Sequence, residues 1–159
     1  MKSACMAILM GSNVDPTPQR VGDLMHRMMV GRELGLAPMT AVRAVNTHSS
    51  TGRNGELRFG AILSAQMMLG LAKSDGWKLK IVYGDEPLAV TVTLTREDEI
   101  VEETWTIDDA KSAGLVRNSG PWAHYPKQML RWRAVADACR VAVPERLAGV
   151  HSTEEAADF

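Results

Sequence analysis

The sequence has few aromatic residues, only two cysteines and no long apolar run. Aromatic side chains make up 5% of the 159 residues, yet four of the eight are tryptophans. Cys5 and Cys139 lie far apart among mostly apolar neighbours, which indicates reduced thiols in a cytoplasmic protein. No segment approaches the roughly 18 apolar residues that span a bilayer. The apolar start of the chain reaches Asp15 without a convincing signal-peptide cleavage pattern. We therefore expect no membrane association.

Motifs for the usual cofactors are also missing. No phosphate-binding loop of the Walker type is present, which disfavours ATP-driven chemistry. The four histidines never approach a cysteine at a metal-ligand spacing, so we expect neither a metal site nor a cofactor. A row of carboxylates is the one feature that suggests a two-metal nuclease. These acidic residues are better explained as the solvent-exposed face of one hairpin. These residues are Glu97, Asp98, Glu99, Glu102 and Glu103.

The remaining composition is that of an ordinary globular protein. The apolar fraction is 45% and the charged fraction 23%, and the chain has the length of one domain. We predict a single domain over residues 1–159, with no separate C-terminal partner-binding domain apparent.

Charge is unevenly distributed, although the net charge is only −1. Residues 97–109 carry seven acidic side chains and no basic one. Residues 111–146 carry seven basic and two acidic side chains, a balance of +5. A polyanion would meet the second segment and avoid the first. The seven basic residues are Lys111, Arg117, Lys127, Arg131, Arg133, Arg140 and Arg146.

The longest predicted element is a main helix that begins at Pro126, because proline suits the first turn and no glycine or proline interrupts residues 127–143. Helical spacing places a broad apolar arc around Val135 and Cys139 and a narrower one around Leu130 and Ala134, so the helix is expected to be sandwiched between two surfaces.

Upstream, the pattern predicts a short helix over residues 3–10 and two longer helices over residues 18–34 and 61–73. It predicts strands over residues 41–47 and 57–60 that pair across a polar loop. Strands over residues 77–83, 89–95 and 100–105 form two hairpins in an antiparallel meander, followed by a helix that Thr106 caps. The predicted fold is α+β, with a small antiparallel sheet packed against several helices and the long C-terminal main helix.

Several short motifs follow one another along the second half of the chain. They are Thr106, Asp109-Ala110, Ala113-Gly114-Leu115, Gly120-Pro121-Trp122, Tyr125-Pro126, Met129-Leu130, Arg133-Ala134, Arg140, Pro144, Gly149 and Glu154-Glu155. In this order they resemble the RecT family of phage single-strand annealing proteins, relatives of the Bet protein. A further segment, Gly35-Leu36-Ala37-Pro38-Met39 followed by Ala41, extends the resemblance to nearly the whole chain.

The resemblance implies a protein, encoded by a bacterial host or prophage, that anneals complementary strands without ATP and is not an enzyme. It implies single-stranded DNA and annealed duplex as partners, and homo-oligomers in rings or helical filaments. Within this frame Lys127 and Arg131 are the strongest phosphate candidates, because no acidic residue lies within a helical turn of either.

Other candidate DNA-binding residues have competing interpretations. Arg133 and Arg140 bracket Asp137 at helical spacings that also suit internal ion pairs. Trp122 and Tyr125 suit base stacking, but Trp122 equally suits a core wedge. Lys111 and Arg117 complete the candidate set, and Arg43, Arg53, Lys78 and Lys80 form a second group.

Two other functional classes stay open. The same surfaces suit a structural or assembly protein that forms homo-oligomers without binding DNA, and the acidic row suits, less well, a small metal-dependent nuclease.

Overall fold

A computed structural model describes the backbone of residues 1–51 and 57–153 and the side chains of residues 1–47 and 60–153. It divides into two compact units, residues 1–62 and 63–159. The fold is α+β, as predicted, and none of the helices in the described ranges is long and apolar enough to cross a membrane.

The described residues of the first unit form three helices and two paired strands. They are α1 (Lys2–Gly11), α2 (Pro18–Glu33), α3 (Pro38–Ala44), β1 (Asn46–Thr51) and β2 (Leu57–Leu63). As predicted, Thr17 caps α2: its hydroxyl accepts a hydrogen bond from the amide of Arg20, and Pro18 follows at the first position. Cys5, Val21 and Leu24 are buried together where α1 meets α2.

The predicted strand over residues 41–47 is wrong for residues 41–44, which end α3. Pro38 starts this helix at its first position, and Ala41 is fully buried beneath α2. The strand begins only at Asn46 and pairs antiparallel with β2, so that Asn46 lies opposite Ile62 and Thr51 opposite Leu57. The predicted polar loop lies partly in this strand and partly, at residues 52–56, outside the described residues.

Gly31 allows α2 and α3 to approach closely. A methyl group built at Gly31 would overlap Cβ of Ala41 and lie 3.1 Å from its Cα, so the backbones would have to move apart to admit it. We therefore expect Gly31→Ala to lower the free energy of unfolding by about 1 to 3 kcal/mol, the usual cost of overpacking a core.

A matched control lies on the same helix. A Cβ at Gly22 would meet nothing within 4 Å, so Gly22→Ala is expected to gain about 0.5 to 1 kcal/mol from helix propensity. Urea unfolding of both variants tests the packing. Equal stability of the two proteins would contradict the close approach of α2 and α3.

The second unit contains α4 (Ala65–Ser74), β3 (Lys78–Asp85), β4 (Leu88–Arg96), β5 (Glu99–Thr106), α5 (Ile107–Ser112), α6 (Pro121–His124), α7 (Pro126–Ala142), α8 (Pro144–Leu147) and β6 (Val150–Ser152). The predicted helix over residues 61–73 is wrong at its start. Residues 61–63 belong to β2, and the hydroxyl of Ser64 caps α4 by accepting a hydrogen bond from the amide of Met67. That helix ends at Ser74-Asp75-Gly76, as predicted.

Strands β3, β4 and β5 form the predicted antiparallel meander, in that spatial order. Val90, Val92 and Leu94 of β4 are fully buried on one face, while Thr91, Thr93 and Thr95 lie on the other. This alternation confirms that one face of the sheet is buried. Thr106 caps α5 in a reciprocal capping box with Asp109, and the two hydrogen bonds from Thr106 lower the pKa of that carboxyl.

The main helix α7 fills the centre of this unit. It packs against β4 and β5 on one side and against α4 on the other, which confirms the predicted sandwich. Leu130, Ala134, Val135 and Cys139 are fully buried, and burial raises the pKa of the Cys139 thiol to about 12. The thiol is therefore neutral at physiological pH.

Candidate nucleic-acid interface

A cleft opens where the start of α7 faces the end of β3. Its volume is about 390 Å³. We name it the tyrosine cleft; its lining residues are Tyr83, His124, Tyr125, Pro126, Lys127, Gln128 and Arg131.

Local backbone chemistry sets the position of Tyr125. Gly120 has a φ of 93°, a conformation that favours glycine, and Pro121 then starts the short helix α6. The amide of Tyr125 donates to the carbonyl of Pro121 at 2.7 Å, and its own carbonyl accepts from the amide of Gln128 at 3.0 Å. The backbone of Tyr125 is thus held between two helices, while 60% of the residue surface stays exposed.

Tyr83 supplies a second ring from a distant part of the sequence. Tyr83 lies near the end of β3, on the same face as Leu79 and Ile81. This end of the strand is close to the start of α7, and the tyrosine is 39% exposed. The ammonium of Lys127 lies 4.7 Å from the centre of the Tyr83 ring, a cation–π contact. The cleft therefore combines two accessible aromatic rings with a cation between α7 and β3.

The charge of Lys127 has a partner that the sequence pattern along the helix did not show. Its Nζ lies 3.7 Å from Oδ1 of Asp85, which comes from the end of β3. Both side chains are more than half exposed, so the pair contributes at most about 1 kcal/mol, and a phosphate can compete with it. Arg131 follows one turn later along α7, and its guanidinium carbon lies 4.4 Å from the centre of the Trp132 ring.

Two predicted site residues are buried outside the cleft. Trp122 is only 8% exposed, as a core wedge requires. Arg133 is 7% exposed and its guanidinium lies over the Trp105 ring at 5.8 Å, while the indole Nε1 of Trp105 donates to Asp137 at 2.6 Å. Burial leaves neither Trp122 nor Arg133 a surface to offer to a strand in this conformation.

The other predicted residues lie elsewhere in the unit. Arg140 is half-buried and donates to the carbonyl of Val150 at 3.2 Å. Lys111 is exposed and pairs with Asp108 at 2.8 Å, and Arg117 is exposed in the segment before α6. Of the predicted DNA-binding residues, Tyr125, Lys127 and Arg131 therefore line the cleft. The other predicted residues lie outside it.

The second group of candidates is dispersed. Arg43 is exposed on α3 of the first unit, Lys78 and Lys80 are exposed on β3, and Arg53 lies outside the described residues. Sequence reasoning missed Tyr83, His124 and Gln128 as cleft residues. Strand alternation places Tyr83 on the side of β3 that faces the helix. A ring with a polar hydroxyl on that side, at the end of a strand, could have identified Tyr83 as a cleft residue from the sequence.

The acidic row of the β4–β5 hairpin is solvent-exposed, apart from Glu103, which is half-buried. Glu102 accepts a hydrogen bond from Thr93 at 3.1 Å, and Glu99 pairs with Arg96 at 2.7 Å. Within the described ranges, no three His, Cys, Asp or Glu side chains come together to hold a metal ion. The nuclease hypothesis therefore gains no geometric support from this part of the chain.

The model of a family described as the RecT family matches residues 18–159. No curated protein matches the chain.

Proposed function

Because this chain belongs to the RecT family, we propose that it binds single-stranded DNA at the tyrosine cleft and anneals complementary strands without ATP. The family consists of annealing proteins of phage-type DNA recombination. The observation that supports the cleft as the binding surface is its composition. Two exposed tyrosines stand beside Lys127 and Arg131 on one small concave surface.

The cleft offers the two kinds of contact that sequence-independent strand binding requires. Cations neutralise phosphates, and aromatic rings stack on bases regardless of base identity. Lys127 and Arg131 lie four residues apart on α7, so their charges follow one another along one edge of the helix. A strand that follows this edge places bases within reach of Tyr125 and, once a phosphate displaces Lys127 from Asp85, of Tyr83.

Annealing by this route needs no bond making or breaking by the protein. Neutralised phosphates lower the repulsion between two strands, and bases held in an extended strand stay available for pairing. We propose that residues 1–159 act as one annealing core in the cytoplasm of a bacterial host. In this proposal the core assembles into rings or helical filaments, holds single-stranded DNA and retains the annealed duplex.

Tyr125 gives a direct test of base stacking. Tyr125→Ala is expected to weaken binding to an oligothymidylate by about 1 to 3 kcal/mol, the usual value of one base–aromatic stack. Tyr125→Phe keeps the ring and is the matched control, with affinity close to that of the original protein. Fluorescence anisotropy with a labelled oligonucleotide measures both. Unchanged affinity of the alanine variant would remove Tyr125 from the interface.

A further inference from the structure

The two outer strands of the β3–β4–β5 sheet have free edges within the described part of the chain. The strand order places β3 at one edge and β5 at the other, eight residues each. The outward-facing N–H and C=O groups of an edge strand are a template for pairing with another strand. Either edge can therefore accept a strand from another chain.

The edges carry opposite charges. On the face turned away from α7, β3 presents Lys78 and Lys80, whereas β5 presents Glu102 in the row that contains Lys80 and Thr93. The exposed acids Glu97 and Asp98 precede β5. The backbones of Lys80 and Glu102 are two strand spacings apart, about 10 Å, with Thr93 between them, and the Glu102 carboxylate accepts a hydrogen bond from that threonine.

Apolar side chains on the same face add to the asymmetry. Ile100 of β5 is 70% exposed and lies in the row of Lys78, and Val82 of β3 is 47% exposed and lies in the row of Thr104. In each line of cross-strand neighbours, the residue on β3 can therefore contact the corresponding residue on β5 of a second copy. Lys78 would cover Ile100 with its aliphatic stem, Lys80 would face Glu102, and Val82 would pack on Thr104.

Charge also selects among the pairings. A two-fold contact places β3 against β3 or β5 against β5, and either pairing brings charges of one sign from both copies to the same edge. Charged residues on an edge strand usually prevent such pairing. Between β3 of one copy and β5 of another, however, the charges are opposite and attract. Such a head-to-tail contact repeats from copy to copy and gives a ring if the rotation closes, or a filament if it does not.

We infer that β3 of one copy pairs in parallel with β5 of a second copy, with Lys80 opposite Glu102, and that this contact builds the assembly. The inference rests on the proposed oligomeric annealing protein and names its interface. The sheet then continues from copy to copy, and the tyrosine cleft recurs once per copy with the same polarity. A bound strand would meet equivalent clefts in series.

Charge reversal at each edge tests the inference. One variant carries Lys78→Glu with Lys80→Glu, and a second carries Ile100→Lys with Glu102→Lys. Each sets like charges across the contact, so each alone is expected to weaken self-association at least about tenfold, whereas a mixture regains it because its edges attract again. Sedimentation velocity at low salt without DNA measures the masses, and thermal unfolding checks the fold.

Three results would overturn the inference: a wild-type protein that stays monomeric at high concentration, a variant that assembles alone as wild type does, or a mixture that stays dissociated. If a double variant unfolds early, the single changes Lys80→Glu and Glu102→Lys serve the same test. DNA affinity measured at dilutions where wild type is monomeric reports on the cleft separately. Loss of assembly with intact DNA binding therefore refers to this interface, and the reverse result refers to the proposed DNA site.

Discussion

Replacing Lys127 and Arg131 together by glutamate is expected to weaken binding to single-stranded DNA about 65-fold at 50 mM salt. Each phosphate contact on a single strand contributes about 0.7 to the slope of log K against log salt concentration, so the loss of two contacts lowers the slope by about 1.4. Taken from 1 M salt, where the electrostatic contribution vanishes, this change in slope amounts to about 1.8 log units of affinity at 50 mM. A salt titration of oligonucleotide affinity measures both quantities.

The matched control is the double variant Lys111→Glu with Arg117→Glu. It changes the net charge of the same unit by the same amount, but both residues lie outside the tyrosine cleft. We expect a smaller loss of affinity and a nearly unchanged salt slope. If the control weakens binding as much as the cleft variant, net charge rather than the cleft determines binding, and the assignment of Lys127 and Arg131 is wrong.

Trp122→Ala is expected to lower the free energy of unfolding by about 3 to 5 kcal/mol. Trp122 is almost completely buried, so truncation removes the transfer energy of the ring and leaves a cavity beside α7. Such a loss is a large part of the stability of a typical domain. Denaturant unfolding followed by circular dichroism measures it.

Tyr125→Ala provides the contrast, because Tyr125 lies three residues away and is exposed. Its unfolding free energy is expected to stay within about 0.5 kcal/mol of the original value, as for most surface substitutions. A Trp122→Ala protein that unfolds as the original does but has lost DNA affinity would show that Trp122 stacks on bases. That result would contradict its assignment as a buried core residue.

Patterns within one element were sufficient to predict much of the second unit. The alternation of Val90, Val92 and Leu94 with threonines identified a half-buried strand, and Pro126 fixed the start of α7. Both signals arise from local geometry, the two-residue repeat of a strand and the missing amide of proline. Thr106 and its capping box with Asp109 belong to the same class.

The errors lie where tertiary packing decides between helix and strand. Residues 41–44 contain few strong signals of either kind, and close contact with Gly31 of α2 favours the helix. Residues 61–63 are apolar and precede a helix, so periodicity alone did not separate them from it. The Ser64 cap marks the true boundary.

The candidate site was predictable only where its residues are neighbours in sequence. Tyr125, Lys127 and Arg131 lie within two turns of each other, so their proximity follows from the helix. Tyr83 and Asp85 reach the cleft through strand β3, which is some forty residues away in sequence. Arg133 faces inward because Trp105 of β5 packs against it. Contacts of this range depend on how the meander meets α7, which local patterns do not encode.

Annealing of two complementary oligonucleotides, one with a fluorophore and one with a quencher, tests the central claim most directly. The reaction contains no nucleotide cofactor, and the rate of quenching reports strand pairing. We expect the protein to accelerate pairing, and the Lys127→Glu with Arg131→Glu variant to lose most of that acceleration while folding normally. Pairing no faster than that of the bare strands, at protein concentrations that saturate them, would contradict the proposed function.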